Sequence, residues 1–235
     1  TGYDVANSCR FDDGDNAYMH KSQGGGNRRT FTLSCWFKRG NLGTEVGLFD
    51  VNNATQPYSN IRISSSDFLK VDDYDGSQDT MLITNRKFRD PSAWYHLCVA
   101  YDTTQSTASN RIKVYINGTQ ETSFSTETYP AQNFDTAWNN SGETLRVGDF
   151  AGNGWDGYMA EVVMIDGQQL APTSFGEFDS DSPTIWKPID VSGLTFGTNG
   201  FYLDFEDSSN LGNDVNGGTD FTEVNLAATD QSTDT

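Results

Sequence analysis

The sequence predicts an all-β chain built from two antiparallel sheets packed face to face. Three observations carry this. Apolar residues do not recur at helical spacing, short runs rich in β-branched and aromatic residues recur along the chain, and each run is bounded by Gly, Asn, Asp or Pro. With no helix-length crossovers between the runs, the strands pair antiparallel and stack as a sandwich. At 235 residues, one large sandwich accounts for the length as well as two small domains do.

The first strong run is Arg29–Lys38 (RTFTLSCWFK), where β-branched and aromatic residues dominate. Asn60–Ser65 and Asp67–Val71 are the next short strand-like runs. Trp94–Tyr101 and Arg111–Ile116 follow, and Asn117-Gly118 then predicts a two-residue type I′ turn into Thr119–Phe124. Thr144–Gly148, Gly157–Ile165 and Gly200–Phe205 complete the set. Leu170–Phe178, with Pro172 placed for a first turn, is the one stretch that reads as a short helix. The expected organisation is a main sandwich over 1–178 and a C-terminal extension over 179–206 whose strand completes it. A polar tail over 207–235 has too little apolar surface to order itself and would order against a partner subunit.

Acidic residues number 33 against 15 basic, for a net charge of −18. That balance excludes nucleic-acid binding by phosphate neutralisation and docking on an anionic membrane. No apolar run reaches the ~18 residues of a membrane span, and Thr1 does not open a signal peptide, so the numbering is expected to start inside a longer precursor. The three cysteines, Cys9, Cys35 and Cys98, show no zinc-ligand spacing. Cys35 and Cys98 sit in strand runs, either as buried free thiols or as a Cys35–Cys98 bridge.

Catalytic patterns are missing. A strand bearing three alternating carboxylates would mark a glucanase, and the nearest approach, Asp204-Phe205-Glu206, is one carboxylate short. His20 and His96 lie in no nucleophile or metal motif. Gly152–Gly157 satisfies the letters of a dinucleotide fingerprint, but a strand follows it where a helix is required. Asp73–Gly76 and Asp12–Asp15 are too short for calcium loops and read first as turns, with ligands for a composite site as the alternative. Sugar recognition needs aromatic platforms beside amides on loops. Trp155 with Asn153, Trp138 with Asn139 and Asn140, and Tyr58 and Tyr74 are the candidates. The loop Gly148–Gly157 is the expected functional rim, since its four glycines allow a ligand to approach the backbone.

FTLSCWFKRG, WYHLCVAYDTTQSTASNRIKVYINGTQ and LRVGDFAGNGWDGYMAEVVMIDGQQL resemble, in order and spacing, three landmarks of the concanavalin A-like jelly roll. The nearest branch is the laminin-G-like and pentraxin-like one, over about residues 6–178, with SCRFDDGDNAYM resembling its first strand and turn. NRRTFTLSCWFKRGNLG, FRDPSAWYHLCVAYDTTQ, AEVVMIDGQQLAPTSFGE and GTNGFYLDF also resemble modules of phage tail fibres and virion surface proteins. The resemblance implies a non-enzymatic jelly roll displayed on a virion or cell surface. Its ligand would be a glycan or host receptor, its neighbours copies of itself and other virion subunits. The alternative is a structural virion component with no ligand. The pentraxin pattern pairs a cysteine of the FT-strand with one in an HxC strand, matched by His96-Leu97-Cys98, whereas Cys35 falls one residue late. One residue turns a side chain to the opposite face. The resemblance also implies one calcium site at the sandwich rim, with Asn52, Asn53, Asp149 and Asp156 as oxygen donors. The family's run of consecutive acidic ligands is replaced here by GDFAGNGWDG.

Overall fold

The computed structural model describes residues 2–52 and 55–233. In chain order the strands are β1 (Ser8–Phe11), β2 (Tyr18–Ser22), β3 (Thr30–Arg39), β4 (Val46–Val51), β5 (Tyr58–Ile63), β6 (Phe68–Tyr74) and β7 (Gln78–Lys87). Then come β8 (Tyr95–Asp102), β9 (Ile112–Ile116), β10 (Thr119–Gln120), β11 (Phe124–Thr128), β12 (Thr144–Val147), β13 (Asp149–Phe150) and β14 (Asn153–Gly154). The last are β15 (Gly157–Asp166), β16 (Gly176–Phe178), β17 (Trp186–Pro188), β18 (Phe201–Leu203), β19 (Thr222–Val224) and β20 (Gln231–Ser232).

Two eight-stranded antiparallel sheets form the sandwich. Sheet A runs β10-β9-β8-β3-β15-β1-β20, with β18 also on β15, and sheet B runs β11-β7-β6-β5-β4-β12-β2-β19. The all-β jelly-roll reading stands. The period of two puts Phe31, Leu33, Cys35 and Phe37 of β3 into the core with Leu97, Val99 and Tyr101 of β8. Sheet B answers with Phe49, Val51, Ile61, Ile63, Val71 and Leu82.

The cysteine offset is resolved by register. Ser34 pairs Cys98 and Cys35 pairs Leu97, so Cys35 faces the inter-sheet core while Cys98 faces the cluster outside sheet A. All three cysteines are free and buried, and burial pushes their thiols up. The bridge implied by the pentraxin pattern is therefore corrected, because the two side chains leave opposite faces of one sheet.

Asn117 and Gly118 adopt φ of 49° and 75°, the pair of positive values a type I′ turn demands. Strand β10 ends at Gln120, however, and Phe124 starts β11, which crosses to pair with β7 of sheet B. Leu170–Phe178 holds no α-helix: a single 3₁₀ turn at Pro172–Ser174 gives way to β16.

The C-terminal third covers the molecule's edges and outer face. Phe175, Val191, Phe196 and Tyr202 pack on Val163, Ile165 and Cys98 outside sheet A. Trp186 donates its indole N–H to His96 Nδ1 at 3.0 Å, and His96 Nε2 bonds Ser34 Oγ at 2.8 Å. This buried, neutral imidazole has its pKa lowered to about 3 by burial. The segment 207–233, expected as a tail ordered by a partner, is ordered by its own chain. β19 pairs β2, β20 pairs β1, and Leu211 and Phe221 enter the main core. A few apolar anchors and two open sheet edges suffice to hold a polar segment that could not fold alone.

Candidate functional site

Trp155 and Trp138 are both fully buried, at 0% exposure. Trp155 stands edge-on to Phe37 at 5.5 Å and 88°, and Trp138 lies 6.1 Å from Phe31. Neither can serve as a stacking platform for a sugar, which corrects both expectations: burying so large a ring removes more apolar surface from water than any loop display would. The Gly148–Gly157 rim is likewise consumed internally. Asp149 and Phe150 pair Gly154 and Asn153 across a turn at Ala151 and Gly152, with φ of 51° and 82°. Asn153 spends its amide on Phe150 O at 2.9 Å, and Trp155 N–H closes onto Gly148 O at 2.8 Å.

Of the four residues expected to share one cation, the three that are described take separate partners. Asp149 is buried and pairs with Arg146 at 2.9 Å. Asn52, at φ 70°, donates its amide to Pro57 O at 2.7 Å. Asn53 lies outside the described residues. Asp156 instead meets Asp12 and Asp13, with one carboxylate oxygen from each within 4.8 Å of the others. The short turn builds this cluster. Asp12 caps the 3₁₀ turn Asp13–Asp15 by accepting Gly14 N–H at 2.9 Å, and Asn16 closes it at φ 53°. Asn41 donates its amide to Asp13 at 2.7 Å, and Gly40 N–H bonds Asp156 O at 2.7 Å. Burial, then Asp13 and Asp12, raise the Asp156 pKa. Arg10 offsets part of this charge through Asp12 at 3.0 Å. Three hard oxygen donors repelling one another fit a divalent cation of the calcium type.

Tyr74, unlike the two tryptophans, is half-buried. It stacks on Tyr58, rings 5.3 Å apart and 7° from parallel, both half-buried at the end of sheet B. By the period of two, both project from the outer face of sheet B, as do Asn60 and Asp72 two residues inward. A cross-strand rung runs beside the pair, His20–Arg146–Asp50–Asn60–Asp72–Met81, each residue opposite the next. Arg62, one pleat further, bonds Asn60, Asp72 at 2.9 Å and Glu45 at 3.1 Å, with its guanidinium 4.4 Å over Phe150. Gln78 donates to Asp72 at 2.5 Å. Burial, followed by the Asp72 charge, raises the Tyr58 hydroxyl pKa. The result is a half-buried aromatic shelf with the exposed Gln78 beside it, set over Asp50, Asn60, Arg62 and Asp72, which are themselves buried. Such a surface stacks the apolar face of a ring and exchanges hydrogen bonds with its hydroxyls.

Of this surface, sequence reasoning named Tyr58 and Tyr74 and missed Asp50, Asn60, Arg62, Asp72, Gln78 and Arg146. The signal was present in N-I-R-I and L-K-V-D, where every second residue is polar. The partial glucanase motif resolves into a turn. Asp204 accepts the N–H of Glu206 at 3.0 Å, and Phe205 between them is buried at φ 59°.

Solved structures share this architecture. A candidate carbohydrate-binding protein from Bacteroides ovatus superposes with a TM-score of 0.61 at 15% identity, over 98% of this chain and 60% of that one. This chain thus spans about 60% of that protein's length. The heptameric SAP-like pentraxin of Limulus polyphemus gives 0.51 at 15% identity, over 72% of this chain and 80% of its own. Domains LG4-5 of the mouse laminin α1 chain give 0.48 at 11%, over 84% and 46%. At these identities the likeness is one of fold. No curated protein matches the sequence. The family model described as the concanavalin A-like lectin/glucanases superfamily matches residues 12–170, and with the laminin-G-like sandwich it describes now traced strand by strand, the chain belongs to that superfamily.

Proposed function

We propose that the chain is a non-catalytic carbohydrate-binding module of a virion or cell surface, with its glycan site on the outer face of sheet B. The observation that carries this reading is the Tyr58–Tyr74 stack beside Asp72, which Arg62 and Gln78 hold in place. The sugar ring lies on the tyrosine pair, Gln78 contacts its hydroxyls, and Asp72, Asn60 and Arg62 hold Gln78 in register. Calcium, where present, binds Asp12, Asp13 and Asp156 and steadies the turn before β2. Display on a virion or cell surface rests on the phrases shared with tail-fibre modules. Assembly into oligomers is part of the same reading. The exposed Phe178 and Ile185 supply apolar contact points, and a pentraxin of this fold is heptameric.

The test is a glycan array probed with and without millimolar calcium, using the wild type and Tyr74→Ala. Binding to a defined glycan that Tyr74→Ala abolishes supports the site. Silence of the folded wild type, or binding indifferent to Tyr74, overturns it. The inward turn of Trp138 and Trp155 favours a second reading, a structural surface component with no ligand, which consistent silence would establish.

A further inference from the structure

The opposite face of the sandwich carries a cavity that the glycan site does not use. It lies outside sheet A and measures about 370 Å³, within the ~300–1,000 Å³ typical of small-ligand pockets. Trp36 and Ala160, cross-strand neighbours on β3 and β15, line it together with Trp94 just before β8. Tyr3, Val5 and Pro188, from the N-terminal arm and β17, line it as well. The one lining carboxylate is the exposed Asp4.

A bulge sets a second carboxylate against the lining residue Tyr3, outside the cavity itself. Between Ala160 and Val163 the β15–β3 register gains one residue, and Glu161 sits there at φ 50°, a left-handed conformation that a glutamate adopts only under constraint. The bulge reverses the facing of β15: Met159 points into the core before it, and Val162 and Met164 do so after it. Glu161 is buried beside Tyr3, whose hydroxyl is 3.3 Å from both its oxygens, and Tyr202 donates to it at 2.8 Å. Asp190 adds its charge near Tyr3, and Asp204 and Glu206 add theirs near Glu161.

No basic residue lines the cavity among the described residues. Lys187 is held by Glu177 and Asp179, each at 3.4 Å, and Lys38 lies over Tyr158, whose ring is 6.4 Å from Trp94. Aromatic walls with the Asp4 carboxylate among them, in a chain of net charge −18, repel anions and attract a cation able to shed water onto ring faces.

We propose that this cavity binds an organic ammonium ion, its alkyl shell against Trp36, Trp94 and Tyr3 and its charge toward Asp4. A small hydrated metal ion suits the rings poorly, and a neutral alkyl group makes no use of the Asp4 charge. The inference is independent of the glycan site, since no residue is shared.

Tetramethylammonium chloride titrated into the whole chain, followed through the tryptophan indole N–H signals, tests it. Sodium chloride controls for ionic strength and tert-butanol for apolar filling. The expected result is saturable shifts at the Trp36 and Trp94 indoles with tetramethylammonium and none with either control. Affinity should fall about tenfold in Trp94→Ala, by loss of a cation–π wall, and about twofold to fivefold in the exposed Asp4→Asn, by loss of charge. Equal response to tert-butanol, no saturable response to tetramethylammonium, or unchanged affinity in both variants overturns the proposal.

Discussion

Replacing Trp155 with alanine separates a plug from a platform. The indole is 0% exposed, belongs to the inter-sheet core, and meets Phe37 edge-on at 5.5 Å. Truncating a fully buried large aromatic costs ~3–5 kcal/mol in lost transfer energy and residual cavity. The edge-to-face contact lies within that figure as roughly 0.5–1.5 kcal/mol. For a chain of this size each kcal/mol moves Tm by about 2–4 °C, so the expected fall is roughly 6–20 °C. The matching substitution on the proposed platform, Tyr74→Ala, removes a half-buried ring stacked on Tyr58 and costs about 1 kcal/mol. Calorimetry on both variants, with glycan binding measured well below either Tm, gives opposite signatures. Trp155→Ala melts early and binds as wild type, whereas Tyr74→Ala melts almost normally and does not bind. An unshifted melt for Trp155→Ala, or loss of binding in it while folded, would refute the assignment of Trp155 to the core.

Gly118→Val should cost roughly 2–4 kcal/mol, read as a lower denaturation midpoint, because it adds left-handed strain at φ 75° to a collision with the Trp186 ring. A cost under 1 kcal/mol would mean that Trp186 yields freely. Stability should vary with pH in two opposed ways. The Glu161 pKa is raised to about 7, by burial first, so its contribution is full below about 4.5 and lost as pH rises through 7. The His96 pKa is lowered to about 3, so its contribution is full above 6.5 and lost as pH falls toward 3. Glu161→Gln should therefore flatten the alkaline side of the stability profile and leave the acid side unchanged, as urea titrations from pH 4 to 8 would read. Calcium at about 100 times its Kd should stabilise by ~2.7 kcal/mol. Asp156→Asn should abolish that gain and Asp149→Asn should keep it, and a gain lost only with Asp149 would put the ion elsewhere.

What the sequence determined by itself was whatever depends on neighbours along the chain. The period of two in FTLSCWF placed β3 and its inward face, Asn117-Gly118 set the left-handed turn, and the one-residue offset of Cys35 sent the two thiols to opposite faces. The alternation that puts Tyr58 and Tyr74 on one face of sheet B was legible in the same way. Only the tertiary structure decided which aromatic residues in glycine- and asparagine-rich loops turn inward, since local composition around Trp138 and Trp155 is the same for a plug and a platform. Asp12 and Asp13 join Asp156 across more than 140 residues of chain, and the rung from His20 to Met81 is assembled from strands brought together by pairing. The segment 207–233 shows the same limit. Its composition describes a chain unable to fold alone, but Leu211, Phe221 and two short strands gain a core and two sheet edges that exist only once the rest has folded. Burial energy and cross-strand hydrogen bonds are properties of pairs distant in sequence, and no window of residues contains both members.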